Sequence, residues 1–220
     1  MDIDGRISQM VGKLDRLRRQ DLTAPVNADG GSTVAHTCKV FDADEHRYQI
    51  RPPVDPDVLH ATEQLLGQRV PDEYRHWITQ VGDGIAGPCY GLLPLTDNKR
   101  ITVDLGADFP YSFDQPCRMS DGDDPSDGWG RRMATITNGI KLLADEGCGM
   151  YDALVLRGPS KGQVWWLETA DYGITFPLAD PGTGAPLGFL DWYELWLDSA
   201  LDGPEQIGGY CDFIPPHLTG

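Results

Sequence analysis

The residue that most invites a chemical role is Cys148, which lies between Gly147 and Gly149. A thiol on a tight turn could act as a nucleophile if a base lay beside it. No sequence pattern pairs this thiol with any of the five histidines, which are His36, His46, His60, His76 and His217. A small buried thiol between two flexible glycines is the simpler interpretation. We therefore predict that the protein is not an enzyme.

Two further motifs resemble ion-binding loops without meeting their requirements. In residues 121–128, Pro125 stands where a calcium loop needs an oxygen ligand, and Ser126 replaces the required glycine. Arg132 then takes the place of the bidentate glutamate. Residues 158–162 hold a lysine between two glycines, but they join two predicted strands and lack the helix of a phosphate loop. We expect neither a metal nor a cofactor.

The overall charge limits the kinds of partner. The chain has 18 basic and 34 acidic side chains, which give a formal net charge of −16. This charge repels nucleic acids and anionic membranes, so a charged partner should be basic. Alternatively, the charge serves solubility alone. The five cysteines are scattered as reduced thiols usually are, and residues 1–5 do not resemble a signal peptide. We expect a cytoplasmic protein that does not bind membranes or nucleic acid directly.

The N-terminal part of the chain is predicted to be an arm. Apolar residues at steps of three and four predict an amphipathic helix over residues 3–19, and residues 23–33 read as a linker. We therefore divide the chain into an arm at residues 1–33 and an α+β domain at residues 34–214. Short strands are predicted at residues 34–41 and 48–51.

The rest of the chain alternates helix and strand signals. Helices are predicted to begin near Asp55 and Pro71, and the stripe of Tyr74, Trp77, Ile78 and Val81 is assigned to the core. A last helix is predicted over residues 189–202, with Asp191 and Glu194 on its solvent face. Further strands are predicted at residues 92–95, 101–103, 153–156 and 164–167. These segments predict a sheet of about five to six strands, and the apolar residues on both faces of the runs at 153–156 and 164–167 predict that it is covered on both sides, at least locally.

Residues 104–127 form what we name the acidic segment. It carries seven aspartates and a single base, Arg118, and prolines interrupt any regular element. Long loops of this kind are usually functional or disordered, and both readings apply here. In the functional reading the partner-binding residues are Asp104, Asp108, Asp114, Asp121, Asp123, Asp124 and Asp127.

Several short motifs follow one another between residues 56 and 201. They are Leu66-Gly67, Val70-Pro71-Asp72-Glu73-Tyr74 with Trp77, Gly82-Asp83-Gly84, Tyr90-Gly91-Leu92-Leu93-Pro94-Leu95, Gly147-Cys148-Gly149, residues 162–166, and Phe189-Leu190-Asp191-Trp192-Tyr193 with Trp196-Leu197. In their order and spacing these motifs resemble the SUKH superfamily. Most of its members are bacterial immunity proteins that neutralise toxins, and its distant fungal relatives regulate cell-wall synthesis.

The resemblance implies an α+β binding domain with a largely antiparallel sheet packed by helices, and with no cofactor or catalytic constellation. We expect an immunity protein of the bacterial cytoplasm that occludes a basic toxin domain, possibly a nuclease, in a stoichiometric complex. A regulatory or scaffolding interaction module is the alternative. A thiol enzyme built on Cys148 is a third class.

Overall fold

The computed structural model describes residues 2–22, 40, 46–119, 124 and 128–202. Its centre is a four-stranded antiparallel sheet in which each strand pairs with the next along the chain. The strands are β1 (Ile140–Gly147), β2 (Met150–Val155), β3 (Val164–Glu168) and β4 (Ile174–Pro177). The helices are α1 (Ile3–Leu22), α2 (Pro56–Leu66), α3 (Asp72–Gln80), α4 (Trp129–Ile136) and α5 (Phe189–Asp202). The α+β class, the antiparallel sheet and the N-terminal helix are confirmed.

The sheet is buried on both faces, as its apolar runs predict. Leu154 and Val164 face a core shared with α1, α3 and α5, which we name the helical layer. Val155 and Trp165 face a second core that contains Phe109 and the end of α4. Because side chains alternate along a strand, neighbouring residues of β2 and β3 divide between the two cores.

The second and third helices begin where the sequence predicts, after Asp55 and Pro71. The Asp55 carboxylate accepts a hydrogen bond from the backbone N–H of Asp57 at 2.8 Å, and Gly67 ends α2 with a φ of 71°. In α3, Trp77 is fully buried, and its ring centroid lies 4.6 Å from that of Tyr193 and 5.8 Å from that of Phe189. The assignment of this stripe to the core is confirmed.

The strand count is four in the described residues, lower than the predicted five to six. Leu92 forms only an isolated bridge to Ala144, because Pro94 cannot extend the ladder. Residues 101–103 form no strand. Residues 48–51 form none either, since Arg47 and Tyr48 both have positive φ angles that bend the chain. Apart from residue 40, the strand predicted at 34–41 lies outside the described residues.

The N-terminal helix packs on the last helix. Four α1 side chains are almost fully buried in the helical layer: Ile7, Met10, Leu14 and Leu17. On α5, Asp191 and Glu194 lie 2.7 and 3.2 Å from the guanidinium of Arg6, and Lys13 lies 2.9 Å from Glu194. These two acids therefore bind bases of α1, where the sequence predicted a solvated face. The boundary at residue 33 lies outside the described residues, and the division into arm and domain stays a prediction.

Candidate partner-binding surface

Four of the seven predicted partner-binding aspartates are described, and all four are exposed: Asp104, Asp108, Asp114 and Asp124. The other three, Asp121, Asp123 and Asp127, lie outside the described residues. Asp104, Asp108 and Asp114 lie in different parts of the fold. Asp114 lies within the turn in which the Gln115 N–H donates to the Ser112 carbonyl oxygen.

The first part of the acidic segment is built into the fold. The Asp104 backbone accepts a hydrogen bond from the Gly139 N–H at 2.7 Å, while its carboxylate accepts one from Gly106 at 2.9 Å. Asp108 contacts the guanidinium of Arg157. The prolines of the acidic segment predict that it does not belong to the core. Phe109 is fully buried, so that prediction is wrong at this position.

A groove of about 660 Å³ lies beside Asp104. Ile101, Met133 and Trp129 contribute apolar surface, and Arg100 and Asp104 add opposite charges. Trp129 is 38 % exposed at the start of α4. An apolar side chain of a partner could enter this groove while a neighbouring cation contacts Asp104. The sequence analysis missed Trp129, although an aromatic residue directly after a run of aspartates and glycine was a visible signal.

Two acids on neighbouring strands, the fully buried Asp152 and the partly buried Glu146, form a pair. The Asp152 carboxyl is fully buried and accepts a hydrogen bond from the Trp192 indole at 3.2 Å, and Glu146 accepts one from Trp166 at 3.1 Å. Their remaining oxygens, Asp152 Oδ1 and Glu146 Oε1, have no donor unless one acid carries a proton. Burial raises the pKa of Glu146 to about 7. Burial, followed by the charge of Glu146, raises the pKa of Asp152 well above its ordinary value.

Carboxyl groups with raised pKa values could act as general acids, but no substrate can reach Asp152 in this arrangement. Asp152 lies beneath the Trp192 indole of α5, away from solvent. A substrate could reach it only if α5 moved. We therefore interpret the shared proton as a means of satisfying two buried carboxyls rather than as part of a catalytic site.

Lys141 is another buried ionisable residue of the sheet. It was not predicted from the sequence because it lies inside an apolar run. Its ammonium donates to the carbonyl oxygens of Leu142 and Asp97 at 2.5 and 2.6 Å and to Asn98 Oδ1 at 3.4 Å. Burial lowers its pKa to about 7, and Asp97 and Asp83 oppose this shift. Three acceptors match the three N–H donors of an ammonium group, so these hydrogen bonds favour the charged form, whereas burial opposes it.

Cys148 is exposed and has a φ of 52°, so the expectation of a buried thiol is wrong. Within the part of the chain that the structure describes, no hydrogen bond or ion pair involves this thiol. No group of three or more His, Cys, Asp or Glu residues that could hold a metal occurs there either. The absence of an enzyme activity stays a prediction.

The architecture is that of an α+β domain in which helices and loops cover both faces of an antiparallel meander. The model of the SMI1 / KNR4 family (SUKH-1) matches residues 53–181, more than half of the chain. The chain therefore belongs to this family, and its membership indicates an immunity or regulatory role through protein–protein interaction. No curated protein and no solved structure matches the chain. Among the described residues, no helix is long and apolar enough to cross a membrane.

Proposed function

We propose that the protein is a cytoplasmic immunity protein that binds a basic toxin domain and blocks its active site. The observation that carries the proposal is the groove lined by Asp104 and Trp129, together with the exposure of all four described aspartates of the acidic segment. Family membership supports a protein partner. The net charge of −16 supports a basic one.

The proposed mechanism is steric. A stable complex covers about 800 Å² on each partner, enough to close the mouth of an active site. Trp129 would serve as an apolar anchor, because buried tryptophans contribute strongly to many interfaces. Asp104 and Asp114 would attract the basic surface of the toxin, and such attraction raises association rates by about 10- to 1,000-fold at low salt. In this proposal no covalent chemistry takes place.

The proposal expects a large toxin gene beside the gene of this protein, and the test uses the purified toxin domain of that gene. The absence of such a gene would favour the regulatory alternative. We expect calorimetry to show a one-to-one complex, and toxin activity to fall in proportion to the complex formed. The variant that replaces Asp104, Asp114 and Asp124 by Asn should associate more slowly and show a flatter dependence on ionic strength. Asp121, Asp123 and Asp127 belong to the same proposal, and their replacement should add to this effect.

The control variant removes the same number of charges at exposed positions outside the segment: Asp57, Asp72 and Asp202, each to Asn. Equal loss of association rate in both variants would assign the effect to net charge and reject a role for the acidic segment. A complex that leaves toxin activity unchanged would favour the regulatory or scaffolding alternative, which the family also includes.

A further inference from the structure

The exposed aromatic side chains of the described residues lie at one end of the sheet. Among the described residues, six large apolar side chains are exposed in total, and three of them are aliphatic and lie elsewhere: Ile50, Val58 and Leu65. The three aromatic ones are Tyr90, Trp129 and Tyr172, with exposed fractions of 47, 38 and 43 %. Isolated exposed apolar residues need no explanation, but a group of neighbouring exposed aromatics marks a candidate interaction site.

Short contacts join the loops that carry these rings. Tyr90 lies beside Gly147, where a Cβ on the glycine would be 3.9 Å from the tyrosine ring. The β1–β2 turn meets the β3–β4 loop, since the Gly149 carbonyl oxygen accepts bonds from the Thr169 N–H and hydroxyl at 2.9 and 2.8 Å. The β3–β4 loop then meets α4, because the Arg132 guanidinium donates to the Tyr172 carbonyl oxygen at 2.7 Å.

We name the surface formed by Tyr90, Cys148, Asp171 and Tyr172 the turn patch. Trp129 lies next to it, 3.5 Å from the position of a Cβ on Gly173. The turn patch therefore adjoins the groove beside Asp104, which Trp129 also lines. The two surfaces are neighbours, but the turn patch is made by different loops.

The loops of the turn patch are held rigidly by polar groups. The buried carboxylate of Glu168 accepts four backbone hydrogen bonds at 2.7–3.2 Å, from the N–H groups of Ala170, Asp171, Tyr172 and Gly173. On the neighbouring turn, the Asp145 carboxylate accepts one from the Gly147 N–H at 2.9 Å. A Cβ on Gly149 would lie 2.8 Å from Ala170 Cβ, so the two loops can approach only with glycine there.

This rigidity does not serve the packing of the loop's own side chains. Ala170, Asp171 and Tyr172 all expose their side chains, although their backbone is fixed by a buried acid. A loop that is already ordered loses little entropy when a partner binds. Tyrosine adds a large contact area with few rotatable bonds, which is why rigid binding surfaces often carry it.

The charges around the turn patch indicate the chemistry of its ligand. Asp171 is exposed next to Tyr172 in the chain, and Asp145 is partly exposed and accepts a hydrogen bond from Gly147, which lies beside Tyr90. The nearby Arg132 donates its Nε–H to the Tyr172 carbonyl oxygen. Aromatic faces next to carboxylates bind ammonium or guanidinium groups through cation–π and charge interactions. We propose that the turn patch is a docking platform for arginine or lysine side chains of the partner. This inference rests on the proposed binding of a basic protein.

The direct probe is a synthetic arginine–glycine peptide, followed by the chemical shifts of the protein's backbone amides. We expect shifts at Tyr90, Gly149, Asp171 and Tyr172, and no binding of a glutamate–glycine peptide of equal length. Replacing Tyr90 and Tyr172 together by Ser should weaken peptide binding about 4- to 25-fold, since each exposed cation–π contact contributes a factor of about 2 to 5.

Two matched variants keep the test specific. The Tyr90→Phe, Tyr172→Phe variant retains both ring faces and should bind the peptide like the original protein. The Val58→Ser, Leu65→Ser variant alters exposed apolar residues elsewhere and should also leave binding unchanged. The inference is overturned if the Ser variant at the tyrosines binds normally, or if the shifts concentrate on the acidic side of α5 around Asp191 and Asp198.

The toxin domain separates this inference from the proposed function. If the protein binds and inhibits the toxin, and the tyrosine-to-serine variant does so equally well, the turn patch is rejected and the function stands. If the peptide maps to the turn patch but no toxin domain is bound, the inference stands and the function is rejected. Weaker toxin binding by the serine variant alone would support both.

Discussion

Acidic side chains have different surroundings on the two sides of the molecule. On α5, Asp191 and Glu194 bind Arg6 of α1, and Asp198 lies 2.7 Å from Lys13. In the acidic segment, Asp108 contacts Arg157, whereas Asp104 and Asp114 form no ion pair with any residue that the structure describes. The first group holds two helices together. In the second group, Asp104 is exposed in the groove that Trp129 also lines, and Asp114 is exposed within a turn. The acids of α5 therefore serve packing, whereas these two aspartates face solvent.

The lowered pKa of Glu194 agrees with its role in joining α1 to α5. Burial opposes the change, but hydrogen bonds from Lys13 and Arg6 lower the pKa of this carboxyl. Its contribution to stability is present above its ordinary pKa and is lost only as the pH falls below that range. On the α5 side the charged state is thus part of the folded structure.

The strongest test of the comparison is the deletion of α1, which should lower the stability of the fold more than any other change. Four buried apolar side chains, at about 1.5 to 3 kcal/mol each, amount to about 6 to 12 kcal/mol. The total stability of a domain is about 5 to 15 kcal/mol. A chain that lacks residues 1–33 should therefore lose most of its cooperative unfolding transition in urea. A sharp transition of nearly unchanged midpoint would show instead that residues 34–214 fold alone.

The second prediction compares two tryptophans. Trp77→Ala removes a fully buried ring from the helical layer and should cost about 3 to 5 kcal/mol of unfolding free energy. Trp129→Ala removes a partly exposed ring from the groove and should cost less than about 1 kcal/mol. Chemical denaturation of both variants measures the difference. Similar losses for the two would contradict the division into a structural and a binding side.

The third prediction concerns pH. Because the pKa of Glu146 rises from 4.5 to about 7 on folding, the protonated form favours the folded protein. The corresponding stability is present below pH 4.5 and is lost as the pH rises towards 7, by about 3 kcal/mol. Unfolding free energies measured between pH 4.5 and 8 should show this decline.

The control for this decline is internal to the sheet. Asp152→Asn keeps the shape of the side chain and offers an N–H donor to Glu146, so its stability should depend less on pH. Asp145→Asn changes a neighbouring, partly exposed acid of the same strand and should keep most of the decline. If all three proteins showed the same pH profile, the shared proton would not be its cause.

The smallest expected effects come from removing one charge on each side of the molecule. Lys13→Gln breaks contacts with Glu194 and Asp198 and should cost up to about 1 kcal/mol, the upper range for partly exposed ion pairs. Asp104→Asn should change stability by less than about 0.5 kcal/mol. Denaturation at low and high salt checks the pair, because only the Lys13 variant should lose part of its difference at high salt.

Some of the fold could be predicted because local signals agree with tertiary packing. The cap at Asp55, the stripe around Trp77 and the apolar runs of β2 and β3 all satisfy this condition. The sequence analysis missed β1 and β4. Lys141 and Glu146 interrupt the apolar pattern of β1 with polar groups that only the folded chain satisfies.

For the acidic segment and the turn patch, only the negative charge could be predicted from the sequence. Seven aspartates in one segment are visible in the sequence, but the exposure of Tyr90 and Tyr172 depends on which loops meet in three dimensions. The prediction that Cys148 is buried was wrong for the same reason. Its turn projects from the sheet, so the thiol at the tip lies in solvent. α4 was missed because it begins after Gly128 without any side-chain cap.

The Glu168 carboxylate also determines how the β3–β4 loop should behave in deuterated solvent. Surface loops usually exchange their amide hydrogens quickly, because their N–H groups bond only to water. Here four consecutive N–H groups donate to one buried acid. The amides of residues 170–173 should therefore exchange as slowly as those of a strand, and deuterium uptake would report this loop as part of the folded interior although its side chains face solvent.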